Sequence, residues 1–546
     1  MTNFSIKSRS SFIDQLTTKT FDVIIVGGGI TGAGVLLDAQ LRGLSCCLIE
    51  MQDFSEGTSS RSTRLIHGGL RYLKQFNFKL VKETGKERNV VAHIARHLTH
   101  PKKVMIPAIK NGTYSKTQLK IALWIYEKLA QVPKALRHKS YGLKEFTSVL
   151  PGINTKGLLG GIEYIEYQTN DARLTIEVIK KGVEEGGVAI SKMKVVELLK
   201  NENNQAIGVK AYDMLNDKDI TISGTCIINA TGPWADDLMK RKKKTVLSKI
   251  KPSKGVHLVF DPQRFPLAKA VYFDTPDNRM IFAIPEDGKV YVGTTDTFYE
   301  GNIVSPEITK GDVAYLLNAC NSMFPAISLT PSDVIGAWSG VRPLIHQKDK
   351  KPSEISRKYE IYKDASGLLT IAGGKLTGYR KMAEKVVNLS IKHHFVSRGL
   401  INNKTASYKL CGSDFKNELD YQTCHSNFLK KAVNLGWKKE EAQWVFSHYG
   451  SECEIILNDE TAVPNGFPTY LYHSLMYSLT REMVLTPSDF LIRRTNLFHF
   501  YPDLVQKHYK TIADTIQAYT GKVEMEDQIQ GIEKLKNTIA NIHQLL

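Results

Sequence analysis

Cysteine is scarce in this chain: there are seven in 546 residues, an odd number, and Cys46 and Cys47 are adjacent inside an apolar run. That pattern is no disulfide framework, and no Cys-x-x-Cys pair is present to hold zinc. The expectation is a reducing, cytoplasmic setting without a metal. Long apolar runs are missing as well. No charge-free stretch reaches the roughly 18 residues that span a bilayer, so any membrane contact is expected at the surface, peripheral on the inner face of the plasma membrane. Residues 1–20 mix Lys7, Arg9, Asp14 and Lys19 with polar side chains and lack the roughly 7–15-residue apolar core of a secretory leader. Acidic residues are the third shortage, with 55 Asp+Glu against 73 Lys+Arg and a net charge of +18. Such an excess asks for an anionic partner, and nucleic acid, a phosphorylated metabolite and an acidic membrane all satisfy it. A composition of 42% hydrophobic and 23% charged residues is far from disordered and long enough for about three domains.

The chain opens on a legible unit. Val23-Ile24-Ile25-Val26 is a β-branched run suited to a strand buried on both faces. Gly27-Gly28-Gly29 breaks it, Ile30 to Arg42 follows with mostly helical apolar spacing, and Leu44–Ile49 is a second strand. This βαβ start predicts a doubly wound α/β domain. Further strand signals fall at Val188–Leu199, Ile207–Tyr212, Ile220–Thr231, Val256–Phe260, Met280–Ile284, Val290–Thr294 and Leu368–Ala372. They are too scattered for beads in series, so two interleaved domains are expected. From about Lys404 the β signals fade and amphipathic segments take over at Glu418–Leu435, Glu440–His448 and Leu504–Gly521, which predicts a separate helical domain.

Gly27, Gly29 and Gly32 form Gly-x-Gly-x-x-Gly between strand and helix, with Ile30 and Thr31 at the helix start facing the phosphates of a dinucleotide. Glu50 ends the second strand, where a carboxylate accepts from a ribose diol. NAD and FAD share this fingerprint. A second glycine-rich element, Ala372-Gly373-Gly374-Lys375-Leu376-Thr377-Gly378, again runs from strand into helix, and Ala230, Thr231 and Gly232 end a third strand. FAD is long enough to need all three, and they favour it.

Together with Thr58-Ser-Ser-Arg-Ser-Thr-Arg-Leu-Ile-His-Gly-Gly-Leu-Arg-Tyr-Leu73, Asn229-Ala-Thr-Gly-Pro-Trp234, Gly293-Thr-Thr-Asp296, Ser339-Gly-Val-Arg-Pro-Leu344 and Gly373-Gly-Lys-Leu-Thr-Gly-Tyr-Arg380, the chain resembles the FAD-dependent, respiratory-type glycerol-3-phosphate dehydrogenases. The likeness covers residues 20 to about 390, and Thr486-Pro-Ser-Asp-Phe-Leu-Ile-Arg-Arg-Thr495 resembles that family's C-terminal helical domain. One departure is Leu36, where the family usually carries a small residue, and a slight shift of the helix is expected there. The resemblance implies a Rossmann-like, doubly wound FAD-binding domain (20–105 with 186–240 and 366–400). With it come an interleaved mixed-sheet substrate domain (106–185 with 241–365) and a helical domain (404–546). It implies oxidation of glycerol 3-phosphate to dihydroxyacetone phosphate, with electrons passed to a membrane quinone; the alternative is an oxidase that delivers them to oxygen.

That chemistry needs cations for a phosphate, a proton acceptor and a positive field near the flavin. By resemblance, Arg71, Tyr72 and Arg342 belong to the substrate pocket and Lys375 lies close to the flavin. Arg279 and Arg357 are further cations for the substrate, Arg357 in a charged loop where it reads equally as a surface residue. His67 and His257 suit a proton acceptor near neutrality. His67 sits in a glycine-flanked turn, while His257, inside a strand, reads equally as structural. Thr58, Ser59 and Ser60 are expected to hydrogen-bond the cofactor, and Val195 is placed beside it.

The positive charge is concentrated. Residues 61–139 hold 18 Lys and Arg against three acidic residues, a net +15. Within them, Gln118–Lys139 sets Trp124 and Tyr126 among lysines, which reads either as an anchor for an anionic membrane surface or as a packed helix with a solvated basic face. Lys240-Arg-Lys-Lys-Lys244 lacks interleaved aromatics and reads as a solvated face, and nucleic acid is not an expected partner. Oligomeric state, a homodimer included, is left open.

Overall fold

A computed structural model describes residues 4–69, 77–240, 249–277, 279–347, 350, 355, 358–521, 533, 536–537 and 539–544. Two sheets and a helical domain make up the fold. The first sheet runs Tyr359–Lys363, Leu369–Gly373, Lys218–Asn229, Thr20–Val26, Cys46–Ile49 and Val188–Ile190, with a hairpin of Met193–Lys200 and Ala206–Asp213 paired to Lys218–Asn229. The five strands from Leu369–Gly373 to Val188–Ile190 are parallel, Val26 lying opposite both Asn229 and Ile49. Val23, Ile24 and Ile25 are fully buried in that sheet, as their unbroken β-branched run requires.

The helix Ile30–Leu41 covers this sheet and is itself covered on two sides. At Gly34 it meets the helix Tyr379–His394, where a Cβ would come 2.9 Å from the Tyr379 ring. On the other side Leu36, fully buried, fits against Gly182 and Gly187. The shift expected from a large residue at position 36 is thus absorbed by two glycines across from it. A Cβ at Gly182 would stand 2.8 Å from Leu36 Cγ.

The second sheet is mixed. Thr297–Phe298, Ile250–Phe260, Lys289–Gly293, Met280–Glu286, Ala270–Asp274, Thr99–Ile109, Leu158–Thr169 and Leu65–Ile66 run across it in that order, with Val334–Ile345 along Ile250–Phe260 and Lys139–Tyr141 along Leu158–Thr169. Only Ala270–Asp274 with Thr99–Ile109 pairs in parallel. One face packs on Leu316, Leu317 and Cys320 of the helix Lys310–Met323, and the other on Leu119, Leu123 and Tyr126 of the helix Lys116–Leu129. Each fully buried Leu here is worth about 1.5–3 kcal/mol.

The C-terminal helical domain contains Glu418–Asn434, Lys439–Tyr449, Thr469–Arg481, a six-residue π-helix at Asp489–Arg494 and Pro502–Thr520 around its own aromatic core. Two boundaries differ from those drawn on the sequence. The strand Thr99–Ile109 was expected to be split at residue 105, its first seven residues in the cofactor domain, but all of it pairs with Leu158–Thr169 in the second sheet, Val104 opposite Tyr164. The helix Asp171–Glu184 was expected in the substrate domain, but its Leu174, Ile176, Val178, Ile179 and Val183 join the core of the first sheet. Its charged face is buried as well: Arg173 bonds to Glu482 at 2.6 Å and Lys180 to Glu452 at 3.0 Å. The helical domain supplies the partners that make a helix apolar on one side and ionic on the other fully burialable.

The Leu36–Gly182 contact gives a test. Gly182→Ala adds a clash of about 1–3 kcal/mol that outweighs the roughly 1 kcal/mol of helix propensity it recovers. In a Leu36→Ala chain the same change fills the space and should stabilise. Urea unfolding of the four proteins reads this sign reversal; an equal effect of Gly182→Ala in both backgrounds contradicts the packing described.

Candidate functional site

One long cavity of about 1100 Å³ runs from the glycine turn after Thr20–Val26 to the face of the second sheet. That exceeds the ~300–1,000 Å³ of most small-ligand sites. No described residue beyond Met382 lines it.

Its first end is built by close approach of backbone. Gly27 has φ +111°, and a Cβ there would stand 2.7 Å from Ala230 O; a Cβ at Gly32 would strike Gly27 O at 1.9 Å. Gly27 and Gly29 therefore line the cavity with Ile30 and Thr31, while Gly32 sits behind them and lets helix and turn touch. The helix Ile30–Leu41 has no acidic residue in its first turn, so its N-terminal dipole faces the cavity uncompensated. Glu50 accepts from Gly28 N at 2.6 Å and Gln52 N at 2.7 Å. Burial pushes its carboxyl up to about 7 against the pull of those two amides.

The loop after Glu50 crosses the cavity. Ser59 Oγ accepts from Ile30 N at 2.9 Å, and Thr58 Oγ1 donates to Val341 O at 2.6 Å, tying the glycine turn to the strand that carries Arg342. Thr58, Ser59, Val195, Ala230, Thr231 and Gly232 line the cavity, whereas Ser60 is buried and does not. Gly373 and Gly374 (φ +79° and +89°), Lys375, Leu376 and Thr377 also line the cavity. Thr377 Oγ1 donates to His67 O at 3.2 Å.

The second end is aromatic and cationic. His67, 35% exposed, stands with Nδ1 3.8 Å from Glu166 Oε1, and Glu166 is buried and accepts from Gly68 N at 2.9 Å. The Phe282 ring lies 5.6 Å from the imidazole and stacks on Tyr272 at 4.2 Å. Arg342 donates to Thr294 Oγ1 at 3.0 Å and lies 3.5 Å from Asp296 Oδ1. Arg279 also reaches the cavity, but Asp277 holds its guanidinium at 2.6 Å over the Tyr315 ring. Arg71, Tyr72 and Arg357 lie outside the described residues, as do most of the basic run 240–244.

His257 is the expected site residue that the structure places differently. It is 1% exposed and does not line the cavity. Its Nε2 lies 3.0 Å from Thr63 Oγ1 and its ring stacks on Trp338 at 4.8 Å. Burial, helped by Arg342 and Arg64, drives the ring well below the ordinary imidazole range. Behind Thr63, the buried imidazole supports the cavity wall.

Several lining residues escaped the sequence reading: Arg61, Tyr164, Glu166, Trp234, Tyr272 and Phe282. Glu166 had a signal, since Tyr164, Glu166 and Gln168 alternate on one face of a strand. Arg61 sat in a quoted motif and was counted only as charge.

Residues 22–380 match the family described as FAD dependent oxidoreductase, and residues 403–526 match the C-terminal domain of alpha-glycerophosphate oxidase. The chain is 43% identical over 527 residues to an aerobic glycerol-3-phosphate dehydrogenase of Staphylococcus aureus (strain USA300), covering 93% of this chain and 95% of that protein. It is 42% identical over 556 residues to its namesake in Bacillus subtilis (strain 168), covering 100% and 98%. Among solved structures, glycerol-3-phosphate dehydrogenase from Bacillus halodurans complexed with FAD superposes with TM-score 0.83 at 37% identity over 98% of both chains. An L-alpha-glycerophosphate oxidase from Mycoplasma pneumoniae with FAD bound, at TM-score 0.57 and 16% identity over 72% of this chain and 98% of that one, shares the fold.

The glycine cradle, the open helix N-terminus and a half-buried carboxylate with capacity to accept further hydrogen bonds fit FAD. The last of these sets a pH dependence. A free carboxyl ionises near 4.5 and Glu50 near 7, so the ligand-free fold loses stability as pH rises across that window. Ribose hydroxyls donate to the ionised form and favour it. Affinity of the apoprotein for FAD should therefore rise about tenfold or more between roughly pH 5 and pH 8, and Glu50→Gln should flatten the profile. Flavin fluorescence titration reads it; a pH-independent wild-type affinity contradicts it.

Proposed function

The chain belongs to the FAD-dependent oxidoreductases and, within them, to the aerobic glycerol-3-phosphate dehydrogenases; from that premise we propose that it oxidises sn-glycerol 3-phosphate to dihydroxyacetone phosphate. FAD, when bound, supplies the two-electron acceptor for the C2 hydride. The observation that carries the reading is that Arg342, Lys375 and the His67–Glu166 pair line the same cavity as the dinucleotide turn. A guanidinium fixed by Thr294 and Asp296 presents a rigid donor fork that matches phosphate geometry. His67 takes the C2 hydroxyl proton, and Glu166, buried behind it, faces the imidazolium that forms. The Tyr272–Phe282 stack walls the cavity and limits water at the reacting carbon.

A membrane quinone takes the electrons onward in this reading. The helix Lys116–Leu129 turns Leu119, Leu123 and Tyr126 inward and leaves Ile121 and Trp124 56% and 57% exposed between Lys120 and Lys128. Lys128 Nζ stands 5.2 Å over the Trp124 ring. An apolar pair ringed by lysines suits an anionic leaflet, where each cation contributes about 1 kcal/mol. No helix among the described residues is long and apolar enough to cross a membrane, so the contact proposed is peripheral, on the cytoplasmic face. The match of residues 403–526 to an oxidase domain favours oxygen as a second acceptor, and peroxide yield without quinone decides between them.

Two variants test the assignment together. Arg342→Ala should lower kcat/KM for glycerol 3-phosphate about a hundredfold, roughly 2.7 kcal/mol, with FAD retained. The pair Ile121→Ala and Trp124→Ala should keep dye-linked turnover while losing quinone-linked turnover in anionic vesicles. Near-normal turnover of Arg342→Ala overturns the phosphate site; unchanged vesicle activity of the pair overturns the membrane face.

A further inference from the structure

We propose that the C-terminal helical domain is a clamp on the cofactor loop, acting through Arg493 and Arg494 on Asp53, and that it sets how tightly FAD is held. The inference rests on the cofactor and not on the choice of substrate. The loop in question runs from Glu50 to Arg61. One side of it lines the cavity, through Glu50, Gln52, Thr58 and Ser59. The other side carries Asp53, which is 1% exposed and faces away from the cavity.

Asp53 meets two arginines from 440 and 441 residues further along the chain. Arg493 Nε donates to Asp53 Oδ2 at 2.5 Å, and Arg494 donates to Oδ2 at 2.7 Å and to Oδ1 at 2.9 Å. Burial alone would raise the Asp53 carboxyl, but the guanidiniums of Arg494 and Arg493 outweigh it and hold the group below the usual carboxylate range. The arginines are themselves fixed inside the helical domain. Asp489 Oδ1 accepts from Arg493, and Glu482 O accepts from Arg494 at 2.8 Å.

An apolar contact runs beside the ionic one. Phe54, fully buried, packs on the ring of Phe4 at 5.7 Å, and Phe4 O accepts from Met483 N at 2.9 Å. Phe54 also fills the space above Gly28, where a Cβ would meet its ring at 2.8 Å, and Ser55 N donates to Gly28 O at 3.0 Å. The loop is thus held between the dinucleotide turn and the helical domain. A buried carboxylate stripped of its partners is strongly unfavourable, so release of the domain would pull Asp53 toward water and drag Glu50, Thr58 and Ser59 off the cavity wall. The helical domain, which contributes no described lining residue, would in this way govern cofactor retention.

The test compares two ion pairs that hold the same helical domain. Arg494→Met breaks the contact to the loop; Arg96→Met breaks the pair of Arg96 with Glu418 of the helix Glu418–Asn434, which shares no residue with the clamp. FAD dissociation constants of the apoproteins, read by flavin fluorescence, should rise about tenfold or more for Arg494→Met and stay within about twofold for Arg96→Met, with Arg494→Lys intermediate. Equal weakening by both methionine variants, or none by Arg494→Met, overturns the clamp. Hydrogen exchange on the wild-type chain needs no variant: adding FAD to apoprotein should slow exchange in 51–59 and in 486–495. Protection of the loop without the C-terminal segment overturns it too.

Discussion

The parallel pairing of Thr20–Val26 with Lys218–Asn229 is the constraint on which the rest depends. Its register brings the ends of the two strands so close that Gly27 lies against Ala230, with room for a hydrogen and none for a methyl group. From that contact the chain can only turn through glycine, and the helix Ile30–Leu41 leaves with its N-terminus open on the gap. The gap becomes a dinucleotide site because backbone donors and a helix dipole are aimed into it before any ligand arrives. Glu50, at the end of the neighbouring parallel strand, adds a carboxylate, and burial keeps it reluctant to ionise until hydroxyl donors reach it.

The two halves of the site are joined by few, specific bonds. Thr58 to Val341 and Thr377 to His67 cross from the first sheet's loops to the elements that present Arg342 and the histidine. A displacement of the cofactor loop is therefore felt at the reacting end. Buried contacts of charged side chains extend the same logic outward. Arg64, 1% exposed, donates to Asn496 in the helical domain and lies over the Trp338 and Phe500 rings. Such pairs contribute little net stability, but removing one partner is costly, which fits a role in fixing the domains' mutual position.

The first sheet was legible because its strands are short, β-branched and bounded by glycine, and the dinucleotide turn because its spacing reflects a steric need. The helices of the C-terminal domain showed in their amphipathic pattern. Thr99–Ile109 was not legible: Pro101, Lys102, Lys103 and Pro107 hide a strand whose first half is polar. The helix Asp171–Glu184 was misplaced because its buried Arg173, Glu177 and Lys180 resemble a solvated face until the helical domain is seen against them. His257 looked chemically apt, yet a strand interior two residues from the cavity-lining Gly255 buried it. Asp53 with Arg494 is a contact between residues 441 apart, and no local pattern announces such a pair.

If glycerol 3-phosphate and FAD meet in one continuous cavity on this chain's own cations and histidine, each substrate molecule reduces one flavin. Anaerobic titration of the purified holoprotein with glycerol 3-phosphate, followed by its visible spectrum, tests that most directly. The oxidised flavin band should bleach near-stoichiometrically, with dihydroxyacetone phosphate formed in equal amount. A flavin band that stays unchanged on addition of this substrate would contradict the account.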